Sequence, residues 1–322
     1  MDGAGVVERT GSANYSKAES EKEIQMNSSS NLLVLGVTGQ VGKLVATTLK
    51  RRGASFSVGS RRRANLEELA DQFGASRFID LDDPRTFDEA LENITGIFLI
   101  TGYTVDMLVQ SKSLIDAAKR NGVKHIVHLG AFTRDHDAYA TVFAWHQMIE
   151  TYLRESGVAW TNLHPNMFMQ NLLTYHAVTG ALFNAYTSKP LGYTALEDVA
   201  ESAAVILMEG PERHSGKDYW FSADSLTPEQ VAEALTVATG HKFTSTVRRD
   251  GSFQSDAAQP GSVFENAYAK GGLEFFRYVE DGRMAYAGSV RDDTKQILGR
   301  EPFLLKEWAK IHANELLQIA AS

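Results

Sequence analysis

The stretch Leu32-Leu33-Val34-Leu35-Gly36-Val37-Thr38-Gly39-Gln40-Val41-Gly42 constrains this chain more than any other. Its apolar start reads as a short buried strand. Glycines spaced G-x-x-G-x-x-G follow, and residues 43–50 then carry a helical pattern. Together these parts aim backbone N–H groups and the positive end of a helix dipole at an anion, which a side chain in the turn would hold away. Gly36, Thr38, Gly39, Gln40, Val41 and Gly42 are therefore candidate phosphate contacts, against the plainer alternative of an ordinary strand-to-helix turn. An ATP-type P-loop is excluded, because Val37 stands where its first glycine belongs and Leu44 where Ser or Thr is required.

Downstream, strand patterns at 32–35, 55–59, 77–80, 96–101, 125–129 and 159–164 alternate with helical patterns at 41–52, 64–73, 85–93, 105–121 and 143–156. This rhythm predicts an α/β fold: a Rossmann-type doubly wound parallel sheet with helices on both faces and ligands beyond the carboxyl ends of the strands. The later chain is less regular. A helix is expected over 194–209 and a strand over 218–222. Thr227-Pro228-Glu229-Gln230 reads as a capping box with proline in the first helical position. Helical patterns over 257–317 are separated by Gly271-Gly272, Gly282 and Gly299. The resulting division places a dinucleotide-binding domain at 31–165, with 194–223 returning to it. Residues 166–193 and 224–322 form a smaller, mainly C-terminal region that shapes a substrate cleft. Residues 1–30 are polar and read as a disordered tail.

Composition narrows the function. No cysteine is present, which excludes disulfides, thiolate catalysis and thiolate metal sites. The formal net charge is −8 and no basic stripe interleaves with aromatics, so direct nucleic-acid binding is not expected. No apolar run approaches a membrane span. A reducing cytoplasm fits the lack of cysteine. A homodimer is left open.

After the second strand the chain reads Val58-Gly59-Ser60-Arg61-Arg62-Arg63. A fold of this kind that prefers NAD carries an acid there for the ribose 2′-hydroxyl. Arginines instead favour a 2′-phosphate, and so NADP(H), through Arg61 with Arg62 or Arg63. Asp80 and Leu81 either border the adenine or belong to a loop of turn-forming acids. Thr101 and Gly102 end the fourth strand where the cofactor crosses, and Tyr103 packs on cofactor or substrate, or covers the core.

With these residues placed, the chain resembles the NmrA-like group of atypical short-chain dehydrogenases/reductases, and most of all its quinone oxidoreductase and triphenylmethane-dye reductase branch. The resemblance runs through the glycine turn, Arg61, Ala117-Ala118-Lys119-x-x-Gly122-Val123-Lys124-His125-Ile126 and His146-x-x-x-Glu150. It continues through Trp160-Thr161-x-Leu163-x-Pro165-Asn166, Glu197-Asp198-Val199-Ala200 and Gly299-Arg300-x-Pro302. It implies an NADPH-dependent oxidoreductase acting on a small-molecule quinone or similar electrophile. Short-chain dehydrogenases use Tyr-x-x-x-Lys, whereas Tyr139 is followed by Phe143 in the lysine position. By resemblance His146 takes the place of that lysine near the nicotinamide ribose.

His146 and Glu150 share a helix face. Either Glu150 orients His146 and raises its proton affinity, or the two are a helix pair without chemistry. A metal reading of H-x-x-x-E is poor, for no further ligands gather around it. Asn166, Phe168 and Asn171 follow the sixth strand, where the resemblance places the nicotinamide and substrate, although Phe168 could equally be core. His128 and His164 read as satisfied core residues. Two rival functions stay open: an NADP(H)-sensing regulator without turnover, and an isomerase or lyase with tightly bound NADP.

Overall fold

The computed structural model describes residues 31–134, 140–174, 177–248 and 265–321; the expected tail and Tyr139 lie outside them. Strands β1 (Leu32–Val34), β2 (Phe56–Ser60), β3 (Ser76–Phe78), β4 (Gly96–Leu99), β5 (His125–Leu129) and β6 (Ala159–Pro165) follow one another along the chain. Four short strands come next, β7 (Met167–Phe168), β8 (Val178–Thr179), β9 (Leu182–Ala185) and β10 (Leu191–Thr194), before β11 (Lys217–Phe221) rejoins β6. The main sheet has the order β11-β6-β5-β4-β1-β2-β3. Every neighbour in it is parallel. Its order reverses between β1 and β4, the switch point at which doubly wound sheets bind ligands.

Side-chain alternation divides the core. Leu32 and Val34 pack with Val45 and Leu49 of α1 (Gln40–Arg51). On the other face, Leu33 and Leu35 join the layer of α4 (Met107–Arg120) and α5 (Thr141–Glu155), with Leu114, Ile115, Ile149 and Leu153. Between α1 and α4 lie α2 (Leu66–Phe73) and the single turn α3 (Phe87–Ala90). After β10 come α6 (Leu196–Glu209) and α7 (Pro211–His214). The remaining elements are β12 (Asp224–Leu226), α8 (Pro228–Thr239), β13 (Thr244–Val247), α9 (Glu265–Glu280), α10 (Thr294–Leu298), α11 (Leu305–Ile311) and α12 (Ala313–Ala320). They build a separate apolar cluster around Leu235, Phe275, Phe276 and Trp308.

Several boundaries differ from expectation, each because a distant partner decides. The helix expected from 194 begins at Leu196, and Thr194 ends β10. Its first N–H groups are met from afar: Leu196 N–H donates to Gln170 Oε1 at 2.9 Å. Gly271 and Gly272 do not separate helices but lie inside α9. A Cβ on Gly271 would sit 2.7 Å from Val142, so the glycine lets α9 close onto α5. The helix expected at 85–93 shrinks to α3 and a preceding 3₁₀ turn. The capping box at Thr227 and Gln230 is formed as read.

A charged network joins the C-terminal region to the sheet layers. Asp198, fully buried, accepts from Arg300 Nη1 at 2.7 Å and from Phe303 N–H at 2.8 Å. Arg300 also donates to Glu201 at 2.7 Å, and Glu201 accepts from Arg52 at 2.7 Å. Arg300→Ala strands a buried carboxylate, so it should destabilise by about 1.5–3 kcal/mol, the range for hydrogen bonds to charged groups. Urea unfolding measures this, and an unchanged midpoint would show the network to be ornamental.

Candidate cofactor and substrate site

Two cavities open at the carboxyl ends of the strands. One, of ≈ 430 Å³, lies beyond β1, β2 and β3 and is lined by Gly36, Thr38, Arg61, Arg62, Asp80 and Leu81, with Gly102 at its far wall. The other, of ≈ 380 Å³, lies beyond β4, β5 and β6. Val41, Thr101, Tyr103, His146, Asn166, Phe168 and Asn171 line it. Ile100 borders both, so the two meet over the end of β4.

Between them stands the glycine turn. Gly36 has φ +69°, and a Cβ there would fall 2.5 Å from Ile100. A Cβ on Gly42 would fall 2.4 Å from the Gly36 carbonyl oxygen. Gly39 is the N-cap of α1 and offers no side-chain cap; no acid occupies the first turn. The N–H groups of Gln40, Val41 and Gly42 lie in the first turn, where a helix offers no carbonyl partners of its own. This end of α1 suits an anion on electrostatic and steric grounds alike.

The arginines divide their work. Arg61 lines the first cavity and reaches Asp82 at 3.8 Å, with two-thirds of its side chain exposed. That pair is loose enough to re-form around an incoming phosphate. Arg62 lines the same cavity, whereas the Arg63 guanidinium carbon lies over the Phe78 ring, 3.7 Å from its centroid. Arg62 is thus the second arginine facing the cavity, and Arg63 covers the edge of the core.

Tyr103 and His146 meet in the second cavity, with Tyr103 Oη 3.1 Å from His146 Nε2. Burial, with His128 and His164 nearby, holds His146 well below the ordinary histidine pKa, so the ring is neutral. Glu150 does not orient it. The Glu150 carboxylate lies 3.7 Å from His164 Nδ1 and 3.8 Å from Arg154. Asn166 borders the cavity, but its amide is committed: Nδ2 donates to Ser222 Oγ and the Ala287 carbonyl, and Oδ1 accepts from Met167 N–H. His164 is paired, through Asp218 Oδ1 at 3.0 Å and the Ala131 carbonyl at 2.9 Å. His128 is held less firmly: neither ring nitrogen makes a close hydrogen bond among the described residues, and only the Asn162 amide opposite favours its protonation by hydrogen bonding.

Sequence reading missed several walls. Phe132, Phe143, Phe275 and Phe276 make the second cavity strongly apolar, and Lys189 is the one Lys, Arg, Asp or Glu among its described lining. Glu280 accepts from Thr187 and Ser188 and so holds the loop bearing Lys189. Nothing local in the sequence signals these, since they come from separate elements far along the chain. Among the described residues no cluster of His, Cys, Asp or Glu could hold a metal, and no helix is long and apolar enough to cross a membrane.

A parallel sheet with a glycine-built anion cradle at its switch point defines a dinucleotide-binding α/β protein. Residues 28–255 match the model of the NmrA-like family, and the chain belongs to that family. It is 28% identical over 286 residues to an NAD(P)H azoreductase of Xenophilus azovorans, covering 88% of this chain and 98% of that one. The NADPH-dependent quinone oxidoreductase QOR2 of Escherichia coli, complexed with NADPH, superposes with a TM-score of 0.72 at 22% identity, covering 87% of this chain and 99% of that one. The negative transcriptional regulator NmrA in complex with NAD shares the fold at a TM-score of 0.69 and 18% identity, covering 92% and 98%.

Two outcomes follow from the charges. Arg61→Ala should weaken NADPH binding by about 1.5–3 kcal/mol and leave NADH nearly unchanged in titration calorimetry; equal losses for both would sink the assignment. Acid stability is set by the neutral histidines. Burial lowers His125 to about 4 and His128 to about 3 from 6.5. Below the unfolded pKa the unfolded chain therefore binds more protons, and stability should fall by about 1.4 kcal/mol per pH unit for each such histidine. His164 is raised despite its burial, chiefly by Asp218 and Glu150. Its contribution is complete in that acid window and is lost only as pH rises through its folded pKa. Unfolding free energies that stay flat between about pH 6.5 and 4.5 would contradict this.

Proposed function

We infer that this protein is an NADP(H)-dependent oxidoreductase that passes hydride to a quinone or similar conjugated electrophile. What carries the reading is the pairing of Tyr103 with a neutral His146 at the end of β4, inside an apolar cavity that adjoins the anion cradle. The kinship with an azoreductase supports the reaction class.

Arg61 and Arg62 would hold the 2′-phosphate, and the first turn of α1 the pyrophosphate. Bound NADPH supplies the hydride. Ile100 and Thr101 floor the crossing between the cavities, and the aromatic walls exclude water and favour a flat acceptor. Tyr103 presents its hydroxyl to the acceptor and His146 orients it.

The neutral state of His146 beside Tyr103 decides the acceptor. Reducing a simple ketone generates an alkoxide, a strong base that needs a potent proton donor. Reducing a quinone generates an aryl oxide whose charge spreads over the ring, with a conjugate acid near that of phenols, about 10. A phenol hydroxyl is matched to that task. A cationic dye is neutralised by hydride alone and needs no proton. General acid–base help is worth about 10²–10⁴-fold, which sets the expected preference for quinones over ketones.

A screen of NADPH oxidation against quinones, azo compounds, cationic dyes and ketones tests this. The expected order places conjugated acceptors first. Ketones reduced as readily as quinones would overturn the acceptor assignment. Tight NADPH binding with no turnover on any acceptor would replace it by the NADP(H)-sensing role.

A further inference from the structure

The sheet face that packs on α5 carries a row of polar side chains where apolar ones would be expected. His128, Asn162 and Asp218 are register partners across β5, β6 and β11. His146, Glu150 and Arg154 form the matching stripe of α5, each four residues from the next. Together they make a polar seam between helix and sheet, running from the cavity to the edge strand.

Its links can be followed in order. Tyr103 Oη meets His146 Nε2 at 3.1 Å in the cavity. The His146 ring lies 5.4 Å from the His128 ring, centroid to centroid. His128 stands opposite Asn162, and Asn162 Nδ2 donates to Asp218 Oδ1 at 2.9 Å. Asp218 also accepts from Arg154 at 3.0 Å, and both side chains are about one-third exposed. The seam thus reaches solvent at β11.

Buried polar atoms without a partner occur at several places among the described residues, and one group of them lies along this row. His146 Nδ1, both His128 nitrogens and Asn162 Oδ1 are buried without a hydrogen-bond partner, and they are consecutive along this row. A buried donor or acceptor left so is costly, and each of these calls for a partner. Ordered water requires two to four such partners, which these atoms supply.

We propose that this seam is a proton-return path that reloads Tyr103 from solvent beside Asp218 by way of His128 and His146, with bound water carrying the proton past Asn162, whose amide oxygen holds that water in the row. The proposal rests on the oxidoreductase reading above. Its chemistry balances. Hydride from NADPH adds to the quinone and leaves NADP⁺ and a hydroquinone monoanion. That anion takes the Tyr103 proton, and the Tyr103 oxygen takes the proton on His146 Nε2. His146 Nδ1 takes one from the row, which draws it from solvent. Each histidine ends as the other neutral tautomer, which a flip of the ring restores before the next turnover, and one solvent proton is consumed per turnover. The groups facing the row are Glu150 and Arg154 from α5, His164 from β6 and Asp218 from β11. Glu150 and Asp218 lie against His164 and Arg154.

His128→Phe removes the middle link while keeping an aromatic ring in the core. The test compares this variant with the native protein on a quinone, which consumes a proton, and on a cationic triarylmethane dye, which does not. The expected result is a fall in the quinone-to-dye turnover ratio of about 10²-fold, with the NADPH dissociation constant within about twofold of native. Asp218→Asn, at the exposed end, should lower the same ratio and make it worse with rising pH, and serves if the phenylalanine variant does not fold. In the cofactor-free protein, nitrogen NMR should show water exchange at the rings of His128 and His146, lost at His146 in the His128→Phe variant. An unchanged ratio in folded variants overturns the path alone. Native protein that reduces neither acceptor overturns the functional reading and the path with it.

Discussion

The ligand-binding half of the molecule depends on one backbone clearance. A Cβ on Gly42 would fall 2.4 Å from the carbonyl oxygen of Gly36 and 2.6 Å from that of Leu35. Only a residue without a side chain lets α1 start so close to the end of β1. That closeness fixes where the helix N-terminus points, and hence where an anion is held. Gly36 tightens the same turn from the other side by lying against Ile100. Because Ile100 walls both cavities, the turn proposed to hold phosphate also sets how the two cavities meet. Gly59 repeats the device at β2, where a Cβ would meet Leu35 and Ile79 at 2.7 and 2.8 Å.

The sheet is built to ordinary rules except along one seam. On β1 the residues facing the α4–α5 layer are Leu33 and Leu35, but the corresponding positions of β5 and β6 hold His128, Asn162 and His164. Gly130 belongs to the same arrangement, since a Cβ there would meet Glu150 at 2.7 Å. Apolar residues would fill these positions at no cost in buried polar groups. Local rules broken without a packing gain tend to mark function rather than folding. Asp218 shows the electrostatic side of the trade: burial opposes its ionisation, yet His164, Asn162 and Arg154 hold its carboxyl at about 2.

What was legible in the sequence was whatever a short window can hold. The glycine turn, the β-α rhythm and the Thr227 capping box are local, and each was read from adjacent residues. The parallel sheet followed from the rhythm. Features that need a distant partner were not legible. Gln170 caps α6 across 26 positions, Val142 explains Gly271, and Phe78 takes Arg63 out of the cavity. His146 and Glu150 share a face in sequence and in structure, but spacing could not say that strand β6 would offer Glu150 a nearer partner in His164. The aromatic walls of the second cavity come from helices remote in sequence, so no single stretch announces them.

A neutral imidazole at position 146 changes more than a charge. Typical short-chain dehydrogenases carry lysine there, whose ammonium favours a phenolate beside it and so strengthens the phenol as an acid. In this chain the site is enclosed, and His128 and His164 oppose a further positive charge. The protein therefore gives up acid strength at Tyr103. It gains a group with one donor and one acceptor nitrogen, which can take a proton on one side as it gives one on the other. Such a transfer passes through the interior without separating charge, and the penalty for burying an ion in low dielectric does not arise. An ammonium has donors only and cannot relay in this way. On the proposed function, histidine in the place of that lysine suits acceptors whose reduced forms are weak bases, and a path to solvent through further neutral groups is its natural complement.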